Sequence, residues 1–296
     1  MKKIFMSLAV SCLFMTATAQ IATTTVAPAR KAAVPYDSTL NWLGSDRVAA
    51  YEGQTLFVTP KEEDEQKYGY DFFYTHGETP QEMLASYYST PHERLAGKSF
   101  VVEKVERISP RYYAFELKQT DDTLRLGFRY DTDDEDAFPF QTMAHYDYLR
   151  GYIGKRYYVK PGYLHKTDVV SGMEITFDYK DVWTVSDVQA IEGQLALLMK
   201  RGSVTSYVHY QKMTDSRLAH YYIPQSLYDK WLAEYGEKLA DYTIGHKLGK
   251  GMTAEMLRYS WGQSAQVLKE GTDDIYVYGA KRIRLDRATG LVTSWE

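Results

Sequence analysis

Cysteine is all but missing from this chain: Cys12 is the only one among 296 residues, and it lies inside an N-terminal apolar run. A chain that sheds that run carries no thiol. Disulfide staples, thiolate nucleophiles and cysteine-ligated zinc are then all excluded. Long apolar runs are missing as well. Past the N-terminus the longest lies near Leu195–Met199, strand-sized and far short of the roughly 20 residues of a spanning helix. Charge of one sign is also lacking. A formal net charge of -4 argues against nucleic acid as a partner, because neutralising phosphates takes a basic face.

The common signatures of catalysis are absent too. There is no Gly-x-Ser-x-Gly elbow and no phosphate-cradling glycine loop. The glycines of Gly249-Lys250-Gly251-Met252-Thr253 read instead as the lead-in to a helix. None of the seven histidines (His76, His92, His145, His165, His209, His220 and His246) stands at His-x-His or His-x-x-x-His spacing to another. No metal site and no cofactor is expected. The acid run Asp131-x-Asp133-Asp134-Glu135-Asp136 departs from a calcium loop, which needs Gly at its sixth place and Glu at its twelfth. Asp136 and Thr142 stand there, so a solvated loop is expected. Lys61-Glu62-Glu63-Asp64-Glu65 is expected to be a second solvated, mobile loop.

What is present begins with an export signal. Lys2 and Lys3 precede the apolar run Ile4–Met15, and Ala17-Thr18-Ala19 is a small-x-small cleavage site. That three-part layout is a secretory leader over residues 1–19, cut between Ala19 and Gln20. The destination is then the periplasm, the cell surface or the medium. Leu8-Ala9-Val10-Ser11 before Cys12 faintly resembles a lipoprotein box; lipidation there is the alternative and would anchor the chain. Residues 20–42, rich in Ala, Thr, Val and Pro, read as a flexible tether.

The body reads as β. Val48–Pro60 aligns with Leu149–Pro161, each a Tyr-x-Gly turn feeding a strand that ends at Pro, and Leu95–Val102 is a partial third copy. Phe115–Lys118 and Leu124–Tyr130 alternate and are joined by the turn Thr120-Asp121-Asp122. Glu174–Tyr179 and Ser203–Tyr210 alternate likewise. Three helices interrupt: Thr79 to about Tyr88, Ser226 to about Ala240, and Ala254–Ser260. The last has Thr253 as N-cap and Gly262 as C-terminal stop. Four short strands follow it, near Ala265–Leu268, Asp274–Tyr278, Arg282–Leu285 and Leu291–Trp295. The expected fold is mainly β with an α+β C-terminal module. Two small β-barrel or curled-sheet modules of SH3-like kind, 43–140 and 141–224, precede a helix-plus-β-meander domain, 225–296.

The C-terminal segment, residues 249–296, carries a resemblance. Gly251-Met252-Thr253, Met256-Leu257, Trp261-Gly262, Ile275-Tyr276-Val277-Tyr278 and Gly290-Leu291-Val292-Thr293 resemble the SmpA/OmlA group. That group includes an outer-membrane assembly lipoprotein and shares its shape with β-lactamase-inhibitor-protein domains. The chain departs from the pattern at Ser264, where the group usually has Pro, and at Ile275, where Trp is common. The likeness implies an envelope location and a small α+β module. It points to protein binding no further than a shared fold can.

The 27 tyrosines include the pairs Tyr87-Tyr88, Tyr112-Tyr113, Tyr157-Tyr158 and Tyr221-Tyr222. On a strand one member of each pair faces outward. Tyr112, Tyr157 and Tyr158 are therefore candidate ligand-binding aromatics. Three functions stay open. The first is an exported non-catalytic envelope protein that binds or scaffolds other proteins. The second is a glycan- or peptidoglycan-binding protein using exposed tyrosines. The third is a hydrolase with a carboxylate pair that meets only in three dimensions.

Overall fold

The computed structural model describes residues 24–25, 35–41, 47–75, 90–134 and 138–296. The leader with Cys12, Ala19 and Gln20, the expected helix from Thr79 and the pair Tyr87-Tyr88 lie outside these. The fold is mainly β, 38% strand and 24% helix, with a curled half-barrel sheet.

The strands fall into three antiparallel sheets. A short β1 (Thr24–Thr25) joins the second. The first contains β2 (Thr55–Val58), β3 (Phe73–Thr75), β4 (Ser99–Arg107), β5 (Tyr112–Gln119), β6 (Arg125–Asp131) and β7 (Phe140–Thr142), in spatial order β3-β6-β5-β4-β2-β7. Its core is aromatic: Phe128 meets Phe73 and Phe140 at ring-centroid distances of 5.0 and 5.1 Å. Tilted and edge-on contacts of this kind suit the ring quadrupoles. Gly127 faces Tyr74 across the β3–β6 pair, and a Cβ there would fall 1.7 Å from the Tyr74 ring. Strand β7 runs across residue 140, the expected end of the first module.

The second sheet runs β11-β10-β9-β8-β12, from β8 (Arg156–Val159), β9 (Val182–Ile191), β10 (Gln194–Arg201), β11 (Val204–His209) and β12 (Tyr222–Pro224). The early half of β9 pairs with β8 and its far end with β1. Residues 24–25 are thus a strand rather than tether. Tyr36 stacks on Tyr148 at 4.2 Å and Leu40 is buried, so residues 35–41 are docked as well. The expected strand Glu174–Tyr179 does not form. Only Glu174 bridges, to Thr167, and the strand lies a few residues on, in β9.

Both aligned segments adopt one geometry. Gly53 and Gly154 have φ of 81° and 86°. The Gly53 N–H donates to the Val102 carbonyl and the Val102 N–H to Gln54. In the same way the Gly154 N–H donates to Val185 and the Val185 N–H to Lys155. Short helices border the strands: α1 (His92–Leu95), α2 (Met143–Arg150) and α3 (Tyr210–Thr214). Thr142 caps α2, its hydroxyl accepting from the His145 N–H.

The C-terminal part packs α4 (Gln225–Tyr235), α5 (Glu237–Ile244) and α6 (Ala254–Trp261) on a four-stranded meander of β13 (Gln266–Glu270), β14 (Asp273–Tyr278), β15 (Lys281–Asp286) and β16 (Leu291–Trp295). Where one helix was expected from Ser226 to Ala240 there are two. Gly236, at φ 79°, breaks the run. The apolar spacing survives the break and concealed it. Thr253 caps α6 by accepting from the Met256 N–H at 3.1 Å.

The three parts interlock. Within β2, Leu56 and Val58 face the first core while Phe57 enters the second. Ile223 leaves the second sheet for the C-terminal core beside Trp231 and Met256. Among the described residues no helix is long and apolar enough to cross a membrane.

Candidate functional site

Strands β9 and β10 are joined by two residues, Glu192 and Gly193, with φ of 52° and 71°. Two positive angles make the turn whose twist matches a hairpin, and Asn-Gly or Asp-Gly usually fills it. A glutamate there costs about 1–2 kcal/mol of backbone strain. Its contacts explain why it stays. The Glu192 N–H donates to Glu62 Oε1 at 3.1 Å. The Tyr207 hydroxyl donates to Glu192 Oε1 at 3.0 Å, and His209 Nε2 lies 2.8 Å from Oε2. Tyr207 and His209 stand two apart on β11 and so share a face.

These contacts set the charges. Burial pushes the Glu192 carboxyl up, but the bonds from His209 and Tyr207 prevail and hold it below the usual carboxylate range. An ionised carboxylate accepts only, so His209 carries its proton on Nε2. His209 is 5% exposed, and its Nδ1 has no hydrogen-bond partner among the described residues. Glu62 is shifted the other way. Burial raises it, and the Glu192 charge adds to this against the one N–H bond.

Two cavities open beside this turn, and Glu192 lines both. The larger, about 680 Å³, lies between the first two sheets. Its polar wall includes Glu62, Glu65, Lys61, Gln141 and Gln194. The smaller, about 240 Å³, is walled by His165, His209, Lys212, Tyr163 and Tyr207. His165 stacks on Tyr207 at 4.5 Å. Burial lowers the His165 pKa, with Lys212 and His209 adding to the shift and Glu192 opposing it. The loop carrying His165 is tied to β11 twice: its N–H donates to the Tyr207 carbonyl, and its own carbonyl accepts from Ser206 Oγ.

The aromatics singled out from the sequence do not converge on one face. Tyr157 is 6% exposed in the second core, its hydroxyl pushed up to about 12 by burial. Tyr158 turns the other way on β8 and packs against Tyr228 of α4 at 4.8 Å. Tyr112 is half-buried in the first sheet, with the Arg111 and Arg129 guanidinium groups over its ring at 5.4 and 5.2 Å. Of the last pair, Tyr222 is core and Tyr221 lies against Tyr163, the rings tilted by 34° with centroids 3.7 Å apart.

The acid runs are less solvated than their composition implied. Asp131 is buried and takes a forked pair of bonds from Arg111, both at 2.6 Å, which lowers its pKa. Glu62 ties the other run to the β9–β10 turn. No group of three or more His, Cys, Asp or Glu side chains suited to a metal ion occurs among the described residues.

The sequence reading missed the Glu192 site. One signal was available, Glu-Gly between two β runs. The partners Glu62 and His209 stand 130 and 17 residues away, and nothing local announces them. Comparison with protein families, with curated proteins and with solved structures returned no match.

Proposed function

We propose that this chain is an exported, non-catalytic binding protein of the bacterial envelope, and that the cavities flanking Glu192 are where it meets its partner. In this reading two curled β modules of SH3-like kind precede a helix-plus-meander module of the SmpA/OmlA sort. The leader of residues 1–19 and the residues of the C-terminal likeness support the compartment. The observation that carries the binding role is the strained Glu192 turn between two polar cavities. Strain kept at one residue by long-range contacts is a mark of function. Binding is favoured over turnover because both Glu192 oxygens are already engaged, Oε1 by the Tyr207 hydroxyl and Oε2 by His209 Nε2.

The test uses the mature chain, residues 20–296, immobilised and exposed to envelope extract and to cell-wall sacculi. Reproducible recovery of one partner, reduced by Glu65→Gln with Lys212→Met, is expected. Recovery that is absent, or unchanged in that double variant, refutes the assignment.

A second reading, hydrolysis, has one observation in its favour. Glu62 and Glu192 line the same cavity, and their surroundings push their pKa values apart, the pattern of an acid beside a base. Release of reducing sugar or peptide from envelope polymers, abolished in Glu62→Gln, would establish it; no release from any polymer removes it.

A further inference from the structure

The two cavities differ in charge. The larger carries Glu62 and Glu65 against the single Lys61. The smaller gathers His165, His209 and Lys212, and its one acid, Glu192, is already engaged by Tyr207 and His209. The three basic groups are close enough for His209 and Lys212 to disfavour charge on His165. Lys212 is exposed and takes part in no ion pair found among the described residues. Lys212 is a cation without a matching anion and leaves room for one from outside, to which His165 can add a ring N–H. His209, nine-tenths buried in the same wall, adds an unspent ring nitrogen, a rare state for a buried polar atom.

Glu192 belongs to both walls, so a single ligand lying over the turn meets both. From this we infer that the site takes a zwitterionic, peptide-like ligand, its ammonium toward Glu62 and Glu65 and its carboxylate toward His165 and Lys212. Opposite poles fix the ligand's direction, since reversal would set like charges together. The combined space suits a short peptide or an amino acid with a long side chain. Recognition at both ends also selects against larger chains that lack free termini. This inference rests on the binding role proposed above and names its ligand class.

The probe is tri-alanine, titrated by calorimetry into the mature chain at low salt, beside its N-acetylated form and its C-terminal amide. Tri-alanine is expected to bind, and each blocked form to bind at least about tenfold more weakly, a factor equal to 1.4 kcal/mol. Both tested side chains, Lys212 and Glu65, are exposed, so their variants keep the fold. Lys212→Met should weaken tri-alanine and leave the amide unchanged. Glu65→Gln should weaken tri-alanine and leave the acetylated peptide unchanged. Equal binding of free and blocked peptides overturns the inference. So does no binding of tri-alanine by a chain that still recovers its envelope partner, and in that case the binding role stands alone.

Discussion

The molecule has two joints, and they are built differently. The joint between the second sheet and the C-terminal part is mainly apolar, with one ion pair, Lys180–Asp241 at 2.6 Å, at its rim. Ile223 crosses into the C-terminal core, Tyr158 lies on Tyr228, and His220 sits against the backbone of Gly262, where a Cβ would come within 3.3 Å of its ring. The joint between the first two sheets has an apolar part in Phe57 and Tyr146. Beside it, however, stand the polar contacts of Glu62 and Glu192 and a cavity of about 680 Å³. A dry joint has little to offer a ligand, because nearly all of its surface is packed against its neighbour. A wet joint keeps hydrogen-bonding groups and space in reserve, and holds together less firmly for it.

The sharpest way to break this comparison is to truncate the dry joint. Ile223 is 1% exposed, and Ile223→Ala removes a buried side chain that spans two parts of the fold. A loss of about 3 kcal/mol is expected, within the range for such truncations. Urea titration followed by tryptophan fluorescence reads it. The C-terminal part should also melt separately from the rest. A single transition displaced by less than about 1 kcal/mol would show that the joint contributes little.

Acid comes next. His246 touches His220 and Tyr221 across the dry joint and has Lys160 near; its Nδ1 lies 2.7 Å from the Ser260 carbonyl. Burial holds its pKa at about 4. His145, between Tyr36 and Tyr210 at the other joint, is held at about 4 for the same reason. In both cases the folded value lies below the unfolded one, near 6.5. The stabilisation is therefore complete above about pH 6.5 and is lost as pH falls toward 4, on the order of 2 kcal/mol for each. Most carboxylates are still ionised over the upper part of that window. His246→Asn, which tolerates the local φ of 54°, should flatten part of the slope measured by urea unfolding between pH 7 and 4.5, the remainder coming from His145, His92, His165 and His220, whose pKa values burial also lowers. An unchanged slope would mean that His246 titrates normally.

Smaller again is the expected effect of Glu192→Ala. It relieves no strain, since alanine resists positive φ too, and it leaves both nitrogens of the buried His209 without partners. A loss of about 1–2 kcal/mol follows. Although two hydrogen bonds disappear, the effect stays below that of one isoleucine in the dry joint. Equilibrium unfolding at pH 7 measures the two side by side, and a larger loss in Glu192→Ala would invert the ranking.

The elements beside the joints were unequally legible. Alternation in Phe115–Lys118 and Leu124–Tyr130 gave the hairpin of β5 and β6, and Thr253 and Gly262 marked the ends of α6, because caps and alternation are local. Gly236 split a helix whose apolar spacing continued straight through it. Asp131 and Glu62 looked like solvated acids because nothing near them in the chain names Arg111 or Glu192 as a partner. Tyr157 and Tyr158 were rightly placed on a strand. What covers the outer face, Tyr228 of α4, arrives some 70 residues later. Neither joint showed in the sequence, because each depends on meetings between distant residues; only the elements on either side of them were legible.

The gentlest test separates the roles that Glu62 could have. Glu62→Gln keeps an oxygen to accept the Glu192 N–H and removes one negative charge from the cavity. Glu62 has its pKa raised in the fold by burial and by the Glu192 charge. A raised carboxyl favours the folded state less and less as pH climbs from the unfolded value through the folded one. At pH 7 the wild-type chain therefore carries a small penalty that the glutamine variant lacks. Stability should rise by no more than about 0.5 kcal/mol, and the gain should vanish near pH 4. A decrease instead would mean that the Glu62 charge holds the two sheets together. The polar joint would then owe its firmness to the same groups that leave it open.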